Sequence, residues 1–421
     1  MARKKDENVG RVLTKKGTAT RAAILDAAHA VFRDTGFYAS SISEITRRAG
    51  FSLATFYQYF KNKEQVFQKL NDVVIERFTN KAESLSLAGL DFDTRLKKII
   101  TLLYDHTKNN LAFHRILGES ELVDRVTLAY YEAIARYLRN FLDKEAVAGN
   151  IRPLDPNIIA YGLIGICYFN SLKWGELKDD LSEEQTVDLM VELIMNGISG
   201  KAKWKRQAKG DILSLPEPLP LREETEEPLT KGEKTRQAIL LAAEKVFGQH
   251  GINRASIAEI TREAGVALGT FYVYFASKAE LVEGYVKYIN RNMRCAIQRV
   301  AADMPDRRDA ERAGIIVCFN FVMRHRKVYR IIPEFEMIDK EVALWYYKKT
   351  AQGYVQGLKQ AMNKGEIRQF PPIFLAYSLM GITHFIGLKW IIWAADISPA
   401  LIRQTLKNNI EFVLWGLTPK K

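Results

Sequence analysis

The feature that most constrains this chain is that it repeats itself. Residues 20–66 (TRAAILDAAHAVFRDTGFYASSISEITRRAGFSLATFYQYFKNKEQV) lie over residues 235–281 (TRQAILLAAEKVFGQHGINRASIAEITREAGVALGTFYVYFASKAEL) without a gap, and roughly half of the positions are identical. Later stretches correspond too: 161–174 (YGLIGICYFNSLKW) matches 377–390 (YSLMGITHFIGLKW), and 113–124 (FHRILGESELVD) matches 328–339 (VYRIIPEFEMID). The whole unit is therefore duplicated. A chain of 421 residues exceeds what one hydrophobic core holds, roughly 250 to 300 residues, so two separate units are expected. Between the copies, residues 201–231 begin basic (KAKWKR), pass through LPEPLP and end acidic (REETEEP). Prolines that remove donors and charges that resist burial predict an extended, semi-rigid tether belonging to neither core.

The net charge of +13 attracts polyanions, nucleic acid ahead of an anionic membrane surface. Cys167, Cys295 and Cys318 are too few for a disulfide framework and point to a reducing, cytoplasmic setting. The start is basic and has no apolar run, so it reads as an arm and not as a signal peptide or anchor. Residues 372–395 are apolar enough to suggest a membrane span. His384 and Lys389 lie inside that stretch and flanking basic asymmetry is lacking, so a buried bundle helix and no membrane contact are expected.

Within one copy, Ile24, Leu25, Ala28, Val31 and Phe32 recur at helical spacing, and Gly36 can end that helix. Ser41-Ile-Ser-Glu44 reads as a capping box that opens a second helix, repeated by Ser256-Ile-Ala-Glu259. That helix halts at Gly50, and a third is expected from about Leu53 to Phe60, with Leu53, Phe56 and Phe60 as its buried stripe. Helix, glycine turn, helix is the geometry that lays the second element in the major groove of duplex DNA. Small and polar residues on the outer face of the third helix suit close approach to bases, with hydroxyls and an ammonium at its edge for phosphate.

Thr-Phe-Tyr-x-Tyr-Phe-x-x-Lys, preceded by Ile-x-Glu-Ile-Thr-Arg-x-Ala-Gly, resembles the DNA-binding domain of the TetR/AcrR repressors, and both copies carry it. The resemblance implies an all-α unit: three N-terminal helices on double-stranded DNA, then about six helices forming a ligand pocket and a dimer interface. By position it puts phosphate contacts on Ser41, Thr55, Tyr57, Tyr59 and Lys63 and base reading near Ser52, Ala54 and Gln58. In the second copy the phosphate set is Ser256, Thr270, Tyr272, Tyr274 and Lys278, and the base set is Ala267, Gly269 and Val273. The phosphate set is kept while the base set changes, which implies an operator with two unlike half-sites, or a second head that binds without discrimination.

The expected plan is a basic arm (1–19), a first DNA-binding domain (20–66), a first regulatory domain (67–200), the linker (201–231), a second DNA-binding domain (232–281) and a second regulatory domain (282–421). The resemblance implies pairing through two C-terminal helices per unit, here 156–175 with 183–199 and 372–395 with 398–416. Docking of the two copies on each other would make the chain its own dimer, with a homodimer carrying four heads as the alternative. His114, Arg115, Tyr130, Tyr168 and Trp174 in the first copy, and Tyr329, Arg330, Trp345, His384 and Trp390 in the second, are candidates to line pockets for a small-molecule effector, and the basic chain with Arg115 and Arg330 would tolerate an acidic one. For each of them taken alone, ordinary core packing is the favoured explanation. His114, Glu119 and Glu121, and likewise Glu334, Glu336 and Asp339, have no metal-ligand or nucleophile spacing, so neither catalysis nor a metal or cofactor is expected.

Overall fold

The computed structural model describes residues 14–117, 121–172, 180–206, 230–302, 304–329, 340–394 and 397–419. The expected arm falls largely outside these residues, and so does most of the linker. The described chain is all helical apart from one isolated bridge, Ser199 to Ile367. The first half contains α1 (Lys15–Thr35), α2 (Ile42–Ala49), α3 (Leu53–Tyr59), α4 (Lys63–Glu83), α5 (Phe92–Asn109), α6 (Leu111–Leu117), α7 (Glu121–Val147), α8 (Pro156–Ser171) and α9 (Glu183–Asn196). The second half repeats the order as α10 (Lys231–Arg254), α11 (Ile257–Ala264), α12 (Leu268–Tyr274), α13 (Lys278–Ala302), α14 (Arg307–Arg324), α15 (Arg326–Tyr329), α16 (Lys340–Asn363), α17 (Pro372–Gly387, continued by a π-helical turn Leu388–Ile392) and α18 (Pro399–Trp415).

Helix ends follow the local chemistry. Gly36 takes φ 82° after α1, and Gly251 takes φ 74° inside α10, breaking it at the equivalent place. Gly50 and Gly265 are left-handed at φ 73° and 68°, a conformation glycine adopts without Cβ strain. The expected arm is shorter than its assigned span, because α1 already begins at Lys15, where the Thr14 side chain accepts from Gly17 N–H.

The two halves meet through the helices expected to pair, α8 and α9 against α17 and α18. Gly165 and Gly381 hold equivalent positions in the repeat and oppose each other where α8 crosses α17. A Cβ on Gly165 would lie 2.1 Å from the Gly381 carbonyl oxygen, and one on Gly381 would lie 2.2 Å from that of Gly165. Only backbone fits there. At the far end the main chains exchange hydrogen bonds in matched pairs. Ile198 N–H donates to Val413 O at 2.9 Å while Leu417 N–H donates to Ile194 O at 2.9 Å. Ser199 N–H donates to Leu414 O at 3.0 Å while Thr418 N–H donates to Met195 O at 2.8 Å. Arg152 N–H to Leu417 O and Arg368 N–H to Ile198 O, both 2.8 Å, complete the set. Each bond and its counterpart join equivalent residues with the halves interchanged, which is the signature of a pseudo-twofold axis. The apolar segment Pro372–Ile392 is long enough to cross a membrane, yet most of it is buried within the chain, as a core helix would be.

The beginning of the linker does not behave as a free tether. Gly200 and Ala202 N–H donate to Glu366 O and Gly365 O, both at 2.9 Å. Trp204 donates from Nε1 to Asp309 Oδ2 at 2.9 Å, lies beneath the Arg308 guanidinium at 5.0 Å and packs beside Trp415. The first residues after α9 are thus strapped onto the second half, because an indole and its N–H found partners that composition could not reveal.

Substituting Gly165→Leu inserts a side chain into the backbone crossing and is expected to cost about 3 kcal/mol of docking energy. Chemical denaturation followed by circular dichroism should then show two transitions in place of one.

Candidate nucleic-acid interface and regulatory pocket

In each DNA-binding unit the third helix rests on one buried phenylalanine, Phe56 or Phe271, with Phe60 or Phe275 buried at its C-terminal cap. The first turn faces outward. Leu53 is 46% exposed and Leu268 51%, so the expected membership of Leu53 in the buried stripe is corrected: α2 and α11 are too short to cover that turn. These leucines were missed as surface candidates. An exposed leucine in the first turn of such a helix suits apolar contact with a thymine methyl.

The outer face presents Ser52, Ala54, Tyr57 and Gln58 in the first head, with Thr55 and Tyr59 partly covered. The second presents Ala267, Gly269, Tyr272 and Val273, with Thr270 and Tyr274 partly covered. Tyr57 and Tyr272 are 55% and 54% exposed, and Val273 is 76% exposed, so an apolar side chain stands where Gln58 stands in the first head. Exposed Arg48 of α2, paired with Asp34 at 2.7 Å, is replaced by Glu263 in α11, which pairs with Lys245. The second head is therefore less polar along its third helix and less cationic on its second.

Local capping differs as well. Ser52 accepts from Thr55 N–H at 3.1 Å, whereas Ala267 has no side chain with which to cap α12. Ser41 accepts from Glu44 N–H at 3.1 Å, the serine half of a capping box, and Ser256 with Glu259 forms both halves. Lys63 and Lys278, expected at phosphate, are hydrogen-bonded within their own domains. The Lys63 ammonium donates to the carbonyls of Phe37, Tyr38 and Ser40, and that of Lys278 to those of Ile252 and Ala255. Each is part-buried inside its domain and holds the loop that orients the second helix. Any charged donor satisfies carbonyls left over at a helix end, and sequence alone cannot distinguish them from phosphate.

The regulatory candidates divide. In the first half His114 and Tyr130 are buried in a hydrogen-bonded chain. His106 Nε2 and Tyr130 OH are 2.7 Å apart, Tyr130 OH and His114 Nε2 3.3 Å, and His114 Nδ1 and Tyr131 OH 3.0 Å. Tyr168 packs on His114, and Tyr131 stacks on Trp393 of the other half at 5.6 Å. These residues are committed to one another. In the second half Tyr329 OH and His384 Nδ1 are 3.0 Å apart, and both line a cavity. Trp390 packs against Tyr161 across the interface between the halves, and Trp345 lies near Lys287. The Arg115 side chain, Trp174 and Arg330 lie outside the described residues, as do Glu119, Glu334, Glu336 and Asp339.

A part-buried ion pair joins the halves: Lys389 Nζ donates to Glu132 Oε2 at 2.8 Å, with Tyr161 OH on the same oxygen at 2.8 Å and Arg139 on the other. Burial alone would raise the Glu132 carboxyl, but Lys389, Arg139 and Tyr161 outweigh it and hold the group at about 2.

Burial depresses His106 to about 4, His114 to about 3 and His384 to about 4, so all three rings are neutral in the folded chain near neutral pH. The unfolded chain takes up these protons near pH 6.5. Stability is therefore full above that pH and lost as pH falls from about 6.5 toward 4, by at most about 1.4 kcal/mol per pH unit for each ring. Urea unfolding across this range should show the slope, reduced in His114→Gln. Ala267→Ser should stabilise α12 by about 1 kcal/mol and Ser52→Ala should destabilise α3 by a similar amount, read from amide exchange of each helix.

Comparison with known proteins agrees with this geometry. The model of the tetR family of bacterial regulatory proteins matches twice, over residues 24–70 and 239–285. The uncharacterized HTH-type transcriptional regulator YhgD of Bacillus subtilis is 22% identical over 183 residues, which is 42% of this chain and 95% of YhgD. The HTH-type transcriptional activator FasR of Mycolicibacterium smegmatis is 21% identical over 184 residues, 42% of this chain and 83% of FasR. Among solved structures, the fatty acid degradation regulator FadR from Bacillus halodurans is 21% identical and covers 44% of this chain and 96% of its own, with a TM-score of 0.37. The aligned stretch of YhgD has the length of one copy of the repeat. The chain carries two DNA-binding domains of the tetR type in tandem and is a helix-turn-helix transcriptional regulator.

Proposed function

We propose that the chain is a cytoplasmic, ligand-responsive repressor without enzymatic activity, which brings both reading heads to one operator from a single polypeptide. The observation that carries this reading is the paired exchange of main-chain hydrogen bonds about the Gly165 and Gly381 crossing. Surfaces that would join two separate chains are already used between the halves, so one chain supplies the twofold arrangement that two successive half-sites require. Covalent linkage favours that docking further, since a short tether sets an effective concentration of about millimolar.

The heads share their phosphate side, Ser41, Thr55, Tyr57 and Tyr59 against Ser256, Thr270, Tyr272 and Tyr274. They differ on their base side, Ser52, Ala54 and Gln58 against Ala267, Gly269 and Val273. Phosphate contacts position and base contacts specify, so the operator is two unlike half-sites, with fewer hydrogen-bonded bases under the second head. An effector acts by binding one arrangement of the heads better than the other, and this difference in affinity is what shifts DNA binding.

Selection from random duplex DNA should return a non-palindromic site bound by one chain, with mass photometry giving one chain per duplex. Gln58→Ala should relax preference in one half-site only, by about 1 to 3 kcal/mol at the affected base. Tyr57→Phe should weaken binding to all sequences alike and leave the preference unchanged. A perfect palindrome, or two chains on every operator, would overturn the reading.

A further inference from the structure

A cavity opens in the second half where its residues differ from those of the first. An outer chamber of about 90 Å³ is bounded by α13, α14 and α16, and shares Ile297, Gly314, Thr350 and Tyr354 with an inner chamber of about 50 Å³. In sequence register, α14 repeats α5 from the aspartate caps Asp306 and Asp91 onward, and residues 344–368 repeat 128–152. Gly353, Gly357 and Gly314 then stand where the first half has Tyr137, Phe141 and Ile99. In the first half those side chains fill the space. Tyr137 packs against Phe78 at 5.9 Å and donates to Ala82 O at 3.2 Å; Phe141 stacks on Phe92 at 6.2 Å; and Ile99 is 1% exposed.

The second half also changes the chemistry of the walls. Arg307 replaces Phe92, Glu311 replaces Leu96, Arg294 replaces Thr79 and Asn290 replaces Ile75. Arg307 pairs with Glu311 through Nε at 2.7 Å and occupies the room left by Gly357, where a Cβ would meet its guanidinium at 2.3 Å. Arg294 donates to the Oδ1 of fully buried Asn290 at 2.9 Å, and Asn290 is itself fixed by Thr350 Oγ1 at 2.9 Å and Tyr346 O at 3.1 Å. The outer chamber thus carries two arginines against one carboxylate, while the inner one is lined by groups such as Met293, Tyr346, Met380 and His384. Phe169 of the first half closes the inner wall, 5.5 Å from both Tyr347 and His384.

Resting on the ligand-responsive reading above, we propose that sensing is confined to the second half. Its cavity takes one compact amphipathic carboxylate per chain, with the headgroup at Arg294 and Arg307 and the apolar body directed toward Met293, Tyr346 and His384. The equivalent space of the first half is closed by Tyr137, Phe141 and Ile99. One ligand is sufficient to reach both heads, because it touches α8 of the first half through Phe169 as well as the helices of the second. A small chamber favours a short chain or a single ring over a long acyl group, since burial must be close-packed to stabilise the complex.

The test is titration of the full chain with sodium octanoate, followed by calorimetry, with octanol as the neutral control. Expected are one site per chain, octanoate at least tenfold tighter than octanol, and at least tenfold loss in both Gly353→Tyr and Gly314→Ile, which restore the residues of the first half. Gly353→Tyr adds a side chain at an open helical position, where a Cβ meets nothing within 4 Å, and circular dichroism with DNA binding reports that each variant is folded. Two sites per chain, equal binding of octanol, binding undiminished in both folded variants, or no saturable binding with intact DNA binding would each overturn the proposal. Octanoate that binds as expected without changing DNA affinity would sustain the site and overturn the ligand-responsive reading instead.

Discussion

The contact on which the molecule depends is the one between two backbones. At Gly165 and Gly381 the crossing helices approach more closely than any side chain permits, and flanking apolar residues of α8 and α17 then pack against each other over their length. Tight backbone approach maximises dispersion contact and leaves no room for sliding. Everything farther out inherits its placement from this point: the exchanged main-chain bonds at residues 194–199 and 413–418, the Lys389 to Glu132 pair, and the strap that ends in Trp204.

Duplication within one chain frees the halves to diverge in a way that identical subunits cannot. A substitution in a homodimer appears twice. Here Val273 and Glu263 of one head stand where the other has Gln58 and Arg48, and the second regulatory half has Gly314, Gly353, Gly357, Arg307 and Glu311 at positions that are aromatic or aliphatic in the first. The scaffold is symmetric because both halves must satisfy the same crossing. The surfaces and cavity are asymmetric because nothing in the crossing requires them to match.

Much of the DNA-binding unit was legible in the sequence, because its determinants are local. Capping serines, turn glycines and the phenylalanines of the third helix act within a few residues of themselves, so Ser41, Gly50, Phe56 and their counterparts were placed correctly. Leu53 was not, and the carbonyls of residues 37–40 that hold Lys63 were not foreseen, since the surroundings of both are set by other segments. The aromatic residues of the regulatory halves were recognised as a group but not sorted. His114 and Tyr130 bond to each other, Tyr329 and His384 line space, and Trp390 sits at the interface.

The sequence by itself determined that there are two helical units, where the helices of their DNA-binding domains begin and end, and that the outward residues of their third helices differ. Those properties follow from short-range hydrogen bonding and from a repeat visible along the chain. Only the tertiary structure decided that two glycines meet across the halves, that the first residues of the linker are docked, and that a cavity opens between α13, α14 and α16. A missing side chain leaves a space only if no neighbour fills it, and the neighbours of Gly353 and Gly314 come from helices distant in sequence.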